Sequence, residues 1–285
     1  MSVFLGLLWE TVVDCLKMLP ILFLAYLLME FIERKAGERL NRIVAGVGYA
    51  GPALGGLLGA VPQCGFSGAI AGFYAAGIVT LGTLLSVFLS TSDEMLPILL
   101  SSRIPIAEIF KILLLKVAGG IAAGFMIDIV LRLLRRQRYT DSEHIHDFCE
   151  QEHCDCEESI FVSAIRHTLK VMALIFAVSL LLNILFELWG TEALRSVVTS
   201  VPVVGEMVLA LIGLIPNCSA SVLITNLYVE NVITASQLIA GLMANAGVGL
   251  VVLFRLNKRM KENFGIVLLL YVCAVLLGLL VGLIW

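Results

Sequence analysis

The chain has 285 residues, 60% of them hydrophobic and only 14% charged, with a formal net charge of −3. Soluble domains carry about 45–50% apolar and about 25% charged residues, so a water-soluble globular domain is excluded, and nothing in the charge balance suggests a nucleic-acid partner. Apolar runs of the roughly 20 residues needed to cross a bilayer, about 30 Å of helix, recur along almost the whole sequence.

Residues 1–10 have no basic n-region, and the first apolar run is interrupted by Asp14 and Lys17. The segment at about 11–32 therefore reads as a span rather than a cleavable signal peptide. An apolar stretch at 43–61 ends on Pro62-Gln63-Cys64, a short helix follows at 67–77, and spans at 80–100 and 106–131 come next. A polar linker occupies 132–160. The same order then returns at 161–188, at 197–215 ending on Pro216-Asn217-Cys218, and at 221–231, 233–254 and 264–284.

The recurrence is visible residue by residue. Segments 57–84 and 211–238 align without gaps, and nine of the 28 positions are identical, including Pro62/Pro216, Cys64/Cys218, Ser67/Ser221, Tyr74/Tyr228 and Thr80/Thr234. Apolar segments match by chance because their alphabet is small; a shared Pro, Cys, Ser, Tyr and Thr in one register does not arise that way. Three basic clusters set the orientation: Arg34, Lys35, Arg39 and Arg42; Arg132, Arg135, Arg136 and Arg138; Arg255, Lys258, Arg259 and Lys261. All three can face the cytoplasm at once only if the two halves have opposite topology. The expected fold is therefore an all-α polytopic membrane protein with two inverted-topology repeats, 1–131 and 161–285, of about five membrane-inserted segments each. They are joined by the cytoplasmic linker 132–160, with broken helices or re-entrant hairpins at the Pro-x-Cys motifs. Both termini lie outside, the bilayer is the main partner, and the setting is a bacterial inner (plasma) membrane. Inverted repeats with broken helices are the plan of many secondary transporters, whose sites lie near the midplane where the repeats meet.

At each break proline removes a backbone donor and disfavours helix just before it. The free amides of the helices that follow suit an anion or an oxygen-rich solute. Ser67 and Ser221 can cap those helices. The expected substrate site is Pro62, Gln63, Cys64, Gly65 and Ser67 facing Pro216, Asn217, Cys218, Ser219 and Ser221. Cys64 and Cys218, once deprotonated, could ligate a soft metal or metalloid; packing is the plainer use of a buried cysteine. Gln63 and Asn217 either contact the substrate or satisfy backbone freed by the break.

Ser90-Thr91-Ser92-Asp93-Glu94 interrupts the span at 80–100, and its counterpart in the second half contains Asn245 and Gly247 with no charge. Ser90, Ser92, Asp93, Glu94 and Asn245, with the matched Lys17 and Lys170, are candidates for coupling to protons or sodium. The alternative is a helix that ends near Ser92 before a turn containing Pro97. No nucleotide-binding P-loop occurs, and His167 is the one histidine outside the linker, so no enzyme constellation stands out.

The linker carries His144, His146, Cys149, His153, Cys154 and Cys156 among acidic residues. Imidazole and thiolate at such spacing suit zinc, copper(I) or a similar soft ion, in a sensing or delivery role; a solvated acidic loop is the alternative. No cofactor is required: a metal ion enters either as substrate or at the linker. The sequence is compatible with a homo-oligomer.

The pieces VPQCGFSGAIAGFYAAGIVTLGTLLSVFLSTSDEMLPILL, RHTLKVMALIFAVSLLLNILFELWG and IPNCSASVLITNLYVENVITASQLIAGLMANAGVGLVVLFR resemble the ten-transmembrane heavy-metal exporters, a family whose members are labelled arsenic efflux or manganese transport proteins. The resemblance covers nearly the whole chain. It implies a membrane exporter of a metal or metalloid and carries no established set of functional residues. The alternatives on this scaffold are an ion-coupled transporter of an organic or inorganic anion or an amino-acid-like solute, and a channel. Deleting residues 141–158 is expected to alter the metal dependence of transport while leaving the pathway intact; a folded variant that transports nothing is the contrary result.

Overall fold

The computed structural model describes residues 50–61, 64–92, 95–134 and 203–284, with isolated residues between 6 and 27 and between 161 and 180. The regular elements described are all helices: α1 (Gly51–Gly59), α2 (Cys64–Ala75), α3 (Leu81–Ser90), α4 (Met95–Ser101), α5 (Ile106–Leu133), α6 (Val204–Gly213), α7 (Cys218–Val229), α8 (Ala235–Ala244), α9 (Gly249–Leu256) and α10 (Met260–Ile284). The expected helices at 11–32 and 161–188 lie largely outside the described residues. Those that are described there, such as Phe23 and Phe161, are helical, and these two rings meet edge to face at 5.3 Å.

The element boundaries repeat. Cys218 follows Cys64 by 154 residues, and Ala235 follows Leu81, Gly249 follows Met95 and Met260 follows Ile106 at that same separation. The local chemistry repeats with them. Thr80 and Thr234 are the N-caps of α3 and α8, accepting from the amides of Thr83 and Gln237, and Gln237 closes a capping box back onto the Thr234 amide. Helices α2 and α7 both end in a Schellman turn: Ile78 N–H donates to Phe73 O at 2.8 Å, and Val232 N–H to Leu227 O at 2.9 Å. That turn needs a left-handed residue. Gly77 supplies it at φ 73° in the first half and Asn231 at φ 57° in the second, two of the residue types that tolerate it.

Among the described residues, four helical stretches are long and apolar enough to cross a membrane: 81–101, 106–133, 235–256 and 260–284. They divide into two kinds. The stretches 81–101 and 235–256 are mostly enclosed by protein (75% and 89% buried), whereas α5 and α10 are mostly at the surface (39% and 28%). Phe264, Leu268, Val272, Leu276 and Leu280 repeat every fourth residue along α10 and are exposed, as are Phe110, Leu114 and Met126 on α5. Such apolar faces are suited to lipid.

The enclosed spans are held by backbone approach. Gly82, Ser86 and Ser90 form one stripe of α3 and meet Gly120 and Gly124 of α5. A Cβ on Gly82 would run into the Gly124 carbonyl and the Asp128 carboxylate, and one on Gly124 would sit 2.9 Å from the Ser86 Cβ. In the second half Ser236 and Ala240 of α8 meet Gly282 and Gly278 of α10. Small residues at four-residue spacing are what membrane helices use where lipid offers no hydrophobic drive to associate. Between the halves, α2 packs chiefly on α9, and α7 on α4.

Gly82→Ala is expected to lower stability by about 1–3 kcal/mol, the usual cost of overpacking a tight interface. Gly265→Ala, with no atom within 4 Å of the new Cβ, should be neutral or stabilising by up to about 1 kcal/mol through helix propensity. Thermal unfolding of the detergent-solubilised protein checks both.

Candidate functional site: the two interrupted spans

Both enclosed spans lose helical geometry in the middle, and both interruptions are buried. Helix α3 ends at Ser90. The Thr91 hydroxyl donates back to Val87 O at 2.8 Å, and the Ser92 hydroxyl donates to Ala60 O at 2.8 Å, at the end of α1. Thus the interruption of one span supplies the missing donor for the carbonyl left open where α1 stops. Helix α8 ends at Ala244. Asn245 turns its Oδ1 onto the Gly247 amide at 2.9 Å, Gly247 takes φ 52°, and α9 begins at Gly249. Thr91, Ser92 and Asn245 are at most 5% exposed. Helix α4 carries Pro97 in its first turn, where a missing amide costs nothing. Helix α4 begins at Met95, and 81–101 as a whole is apolar and long enough to cross a membrane.

One side chain joins the two interruptions. Lys116, in the middle of α5 and fully buried, donates from Nζ to Thr91 O and, at 3.2 Å, to Leu242 O. Thr91 is the C-cap of α3, and Leu242 lies in the last turn of α8. The last four carbonyls of a helix have no intrahelical partner and carry partial negative charge. A single ammonium group thus serves the C-terminal ends of two interrupted helices from opposite halves of the chain. The residue 154 positions later is Leu270, so this feature is not duplicated.

Ser67, Pro216, Asn217, Ser219 and Ser221 are the expected binding residues whose side chains are described. Ser67 is fully buried beside the start of α9: a Cβ on Gly249 would lie 2.8 Å from Ser67 O and 2.7 Å from the Phe88 ring. Asn217 (4% exposed) and Ser221 (2%) are buried. The Asn217 amide donates to Ser219 Oγ at 3.2 Å, and Thr225 donates to Ser221 O at 2.7 Å. Helices α2 and α7 begin three residues earlier than expected, at the cysteines. Ser67 and Ser221 therefore lie in the first turn instead of capping it, and Asn217 takes the N-cap position of α7 without a side-chain cap bond. Ser90 and Ser92, expected to take part in coupling, are both buried; Ser90 Oγ has no hydrogen-bond partner and faces Gly120.

Pro62, Gln63, Asp93, Glu94, Lys17, Lys170 and the linker residues His144, His146, Cys149, His153, Cys154 and Cys156 lie outside the described residues. So do the side chains of Cys64 and Cys218, although their backbones open α2 and α7. Among the described residues no three His, Cys, Asp or Glu side chains come together.

Four groups of contacts made by charged or polar residues were not expected from sequence. Lys116 is one. Asp128 accepts from Thr80 Oγ1 at 2.7 Å and from the Gly82 amide at 2.9 Å, bracing the start of α3 from α5. Glu206 accepts from Ser236 Oγ at 2.8 Å at the start of α8, and its second oxygen is buried without a partner. The last group is two crossed pairs: Tyr74 donates to Glu262 at 2.5 Å, and Tyr228 donates to Glu108. A charge inside an otherwise apolar run was the available signal for Lys116 and Asp128. For the crossed pairs it was the common separation, since Tyr228 follows Tyr74, and Glu262 follows Glu108, by the same 154 residues as the helices.

No protein-family model matches the chain, and no curated protein or solved structure does.

Lys116→Met is expected to leave two buried carbonyls short of a donor and to cost about 1–3 kcal/mol. The matched Leu270→Met should cost less than about 1.5 kcal/mol as a volume-conserving change. Equal unfolding temperatures for the two variants would mean that water or rearrangement satisfies those carbonyls without the lysine.

Proposed function

We propose that the protein is a secondary active membrane transporter, an exporter of a heavy metal or metalloid that works by alternating access. The observation that carries this reading is the pair of buried interruptions at 91–92 and 245–248, set in the two most enclosed of the described spans and bridged by Lys116. Non-helical backbone at membrane depth is tolerated where protein or a water-filled cavity satisfies it, and transporters build their midplane sites this way.

Opposed orientation of the halves has support from contacts at the two ends of α5. Asp128 binds Thr80, six residues after Tyr74, and Tyr74 binds Glu262. Glu108 binds Tyr228, six residues before Thr234. The stretch 81–101 thus starts at the Asp128 end and 235–256 at the Glu108 end. Arg132, Arg255, Lys258 and Arg259 follow the Asp128 end, and this excess of basic residues supports a cytoplasmic position for it.

The substrate then lies among the first turns of α2 and α7 and the interruptions beside them. Cys64 and Cys218 open those helices and are the ligands for a soft metal or metalloid. Ser90, Ser92 and Asn245 line the route of a coupling proton or sodium ion. A second reading, an oxyanion or small organic acid, is favoured by the buried hydroxyl and amide groups of Ser67, Asn217 and Ser221 and by the helix starts that carry them.

In proteoliposomes, uptake is expected to fall to the leak rate when proton and sodium gradients are collapsed; uptake indifferent to both gradients would point to a channel. The double variant Cys64→Ala/Cys218→Ala is expected to lose transport of arsenite or a soft divalent metal. Full-rate metal transport by that variant would remove the thiols from the site, and thermal-shift binding of oxyanions in place of metals would favour the second reading.

A further inference from the structure

The two crossed tyrosine–glutamate bonds are the feature that the reading above does not use. Each joins the last turn of a short helix to the first turn of a long surface helix from the other half: Tyr74 of α2 to Glu262 of α10, and Tyr228 of α7 to Glu108 of α5. They lie at opposite ends of the molecule. Asp128, which marks the Tyr74 end through Thr80, is twenty residues along α5 from Glu108, about 30 Å at helical rise. That is the thickness of a hydrocarbon core.

Each bond is also tied to the proposed site by a rigid bar. Tyr74 and Ser67 are seven residues apart on α2, as are Tyr228 and Ser221 on α7, about 10 Å of helix. The serine end of each bar is buried, while both bonds are only partly buried. Glu262 also faces Arg259 at 3.8 Å, in a pair exposed enough for solvent to screen it. The tyrosine bond is therefore the stronger restraint at that end.

We propose that Tyr74–Glu262 and Tyr228–Glu108 are the cytoplasmic and external latches of the cycle, released one at a time. This rests on the alternating-access reading. With both bonds formed, the structure is the occluded form. Releasing Tyr74 frees α2 to swing from α10 and opens the site toward the basic end; releasing Tyr228 frees α7 from α5 and opens it toward the other.

Hydrogen–deuterium exchange of the full chain in lipid nanodiscs, with no added solute, tests this. Tyr74→Phe is expected to speed exchange by about tenfold in residues 72–80 and 257–264, the factor lost with one charge-assisted hydrogen bond, and to leave 100–110 and 226–234 unchanged or slower. Tyr228→Phe should do the reverse. Glu262→Gln, which keeps the side-chain shape, should loosen the Tyr74 end by a smaller factor, and Tyr74→Phe/Glu262→Gln no further than Tyr74→Phe alone. Loosening of both ends by either variant, or of neither, overturns the latches. If the wild-type protein still carries solute in proteoliposomes, the transporter reading survives that failure. One-ended loosening in a protein that carries none of the solutes screened overturns the transporter reading and retains the two bonds as a conformational device.

Discussion

A bilayer offers no hydrogen bonds, and that constraint governs this structure. Every carbonyl released where a helix stops at membrane depth must find a donor inside the protein. The chain stops helices repeatedly in its enclosed interior, and the answers are local and specific: Ser92 donates to the Ala60 carbonyl, Thr91 to its own preceding turn and Lys116 to two helix ends together, while Asn245 accepts from the freed amide of Gly247. Without these donors the interruptions would each carry the full cost of an unsatisfied group. With them, a polar core persists inside a chain that is three-fifths apolar.

The two halves solve another electrostatic problem with different residues. The start of α3 is braced by Asp128 from α5, and the start of α8 by Glu206 from α6 through Ser236. Asp128 corresponds in spacing to Gly282, and Glu206 to Pro52, so neither carboxylate has a counterpart in the other half. Both set a carboxyl group against the positive end of an interrupted span. The small residues that allow this close approach are themselves matched, Gly82 with Ser236 and Gly124 with Gly278.

Much of the architecture was legible because it rests on residue types with narrow uses. Prolines at 62 and 216 marked the ends of α1 and α6, threonines at 80 and 234 marked the starts of α3 and α8, and the interruption after Ser90 was visible as polar residues inside an apolar run. Helix starts were less legible. Residues Cys64-Gly65-Phe66 and Cys218-Ser219-Ala220 carry no strong start signal, so α2 and α7 begin a turn earlier than proline and serine alone suggested. Long-range partners were the least legible. Lys116 reaches across to α8, and Tyr74 reaches α10, through packing that local periodicity does not encode. The equal spacing of the two tyrosines and the two glutamates was on display, but nothing local says which tyrosine meets which glutamate.

Lys116 has a consequence that goes beyond hydrogen bonding. Two halves related as proposed would give two end states, inward and outward, that a pseudo-two-fold rotation exchanges and that are therefore close to degenerate. The buried ammonium group of Lys116 on α5, with a leucine at the matched position, would lift that degeneracy. On the proposed cycle it would give the empty protein a preferred resting side, and so let similar folds at the two ends of the molecule do unequal work.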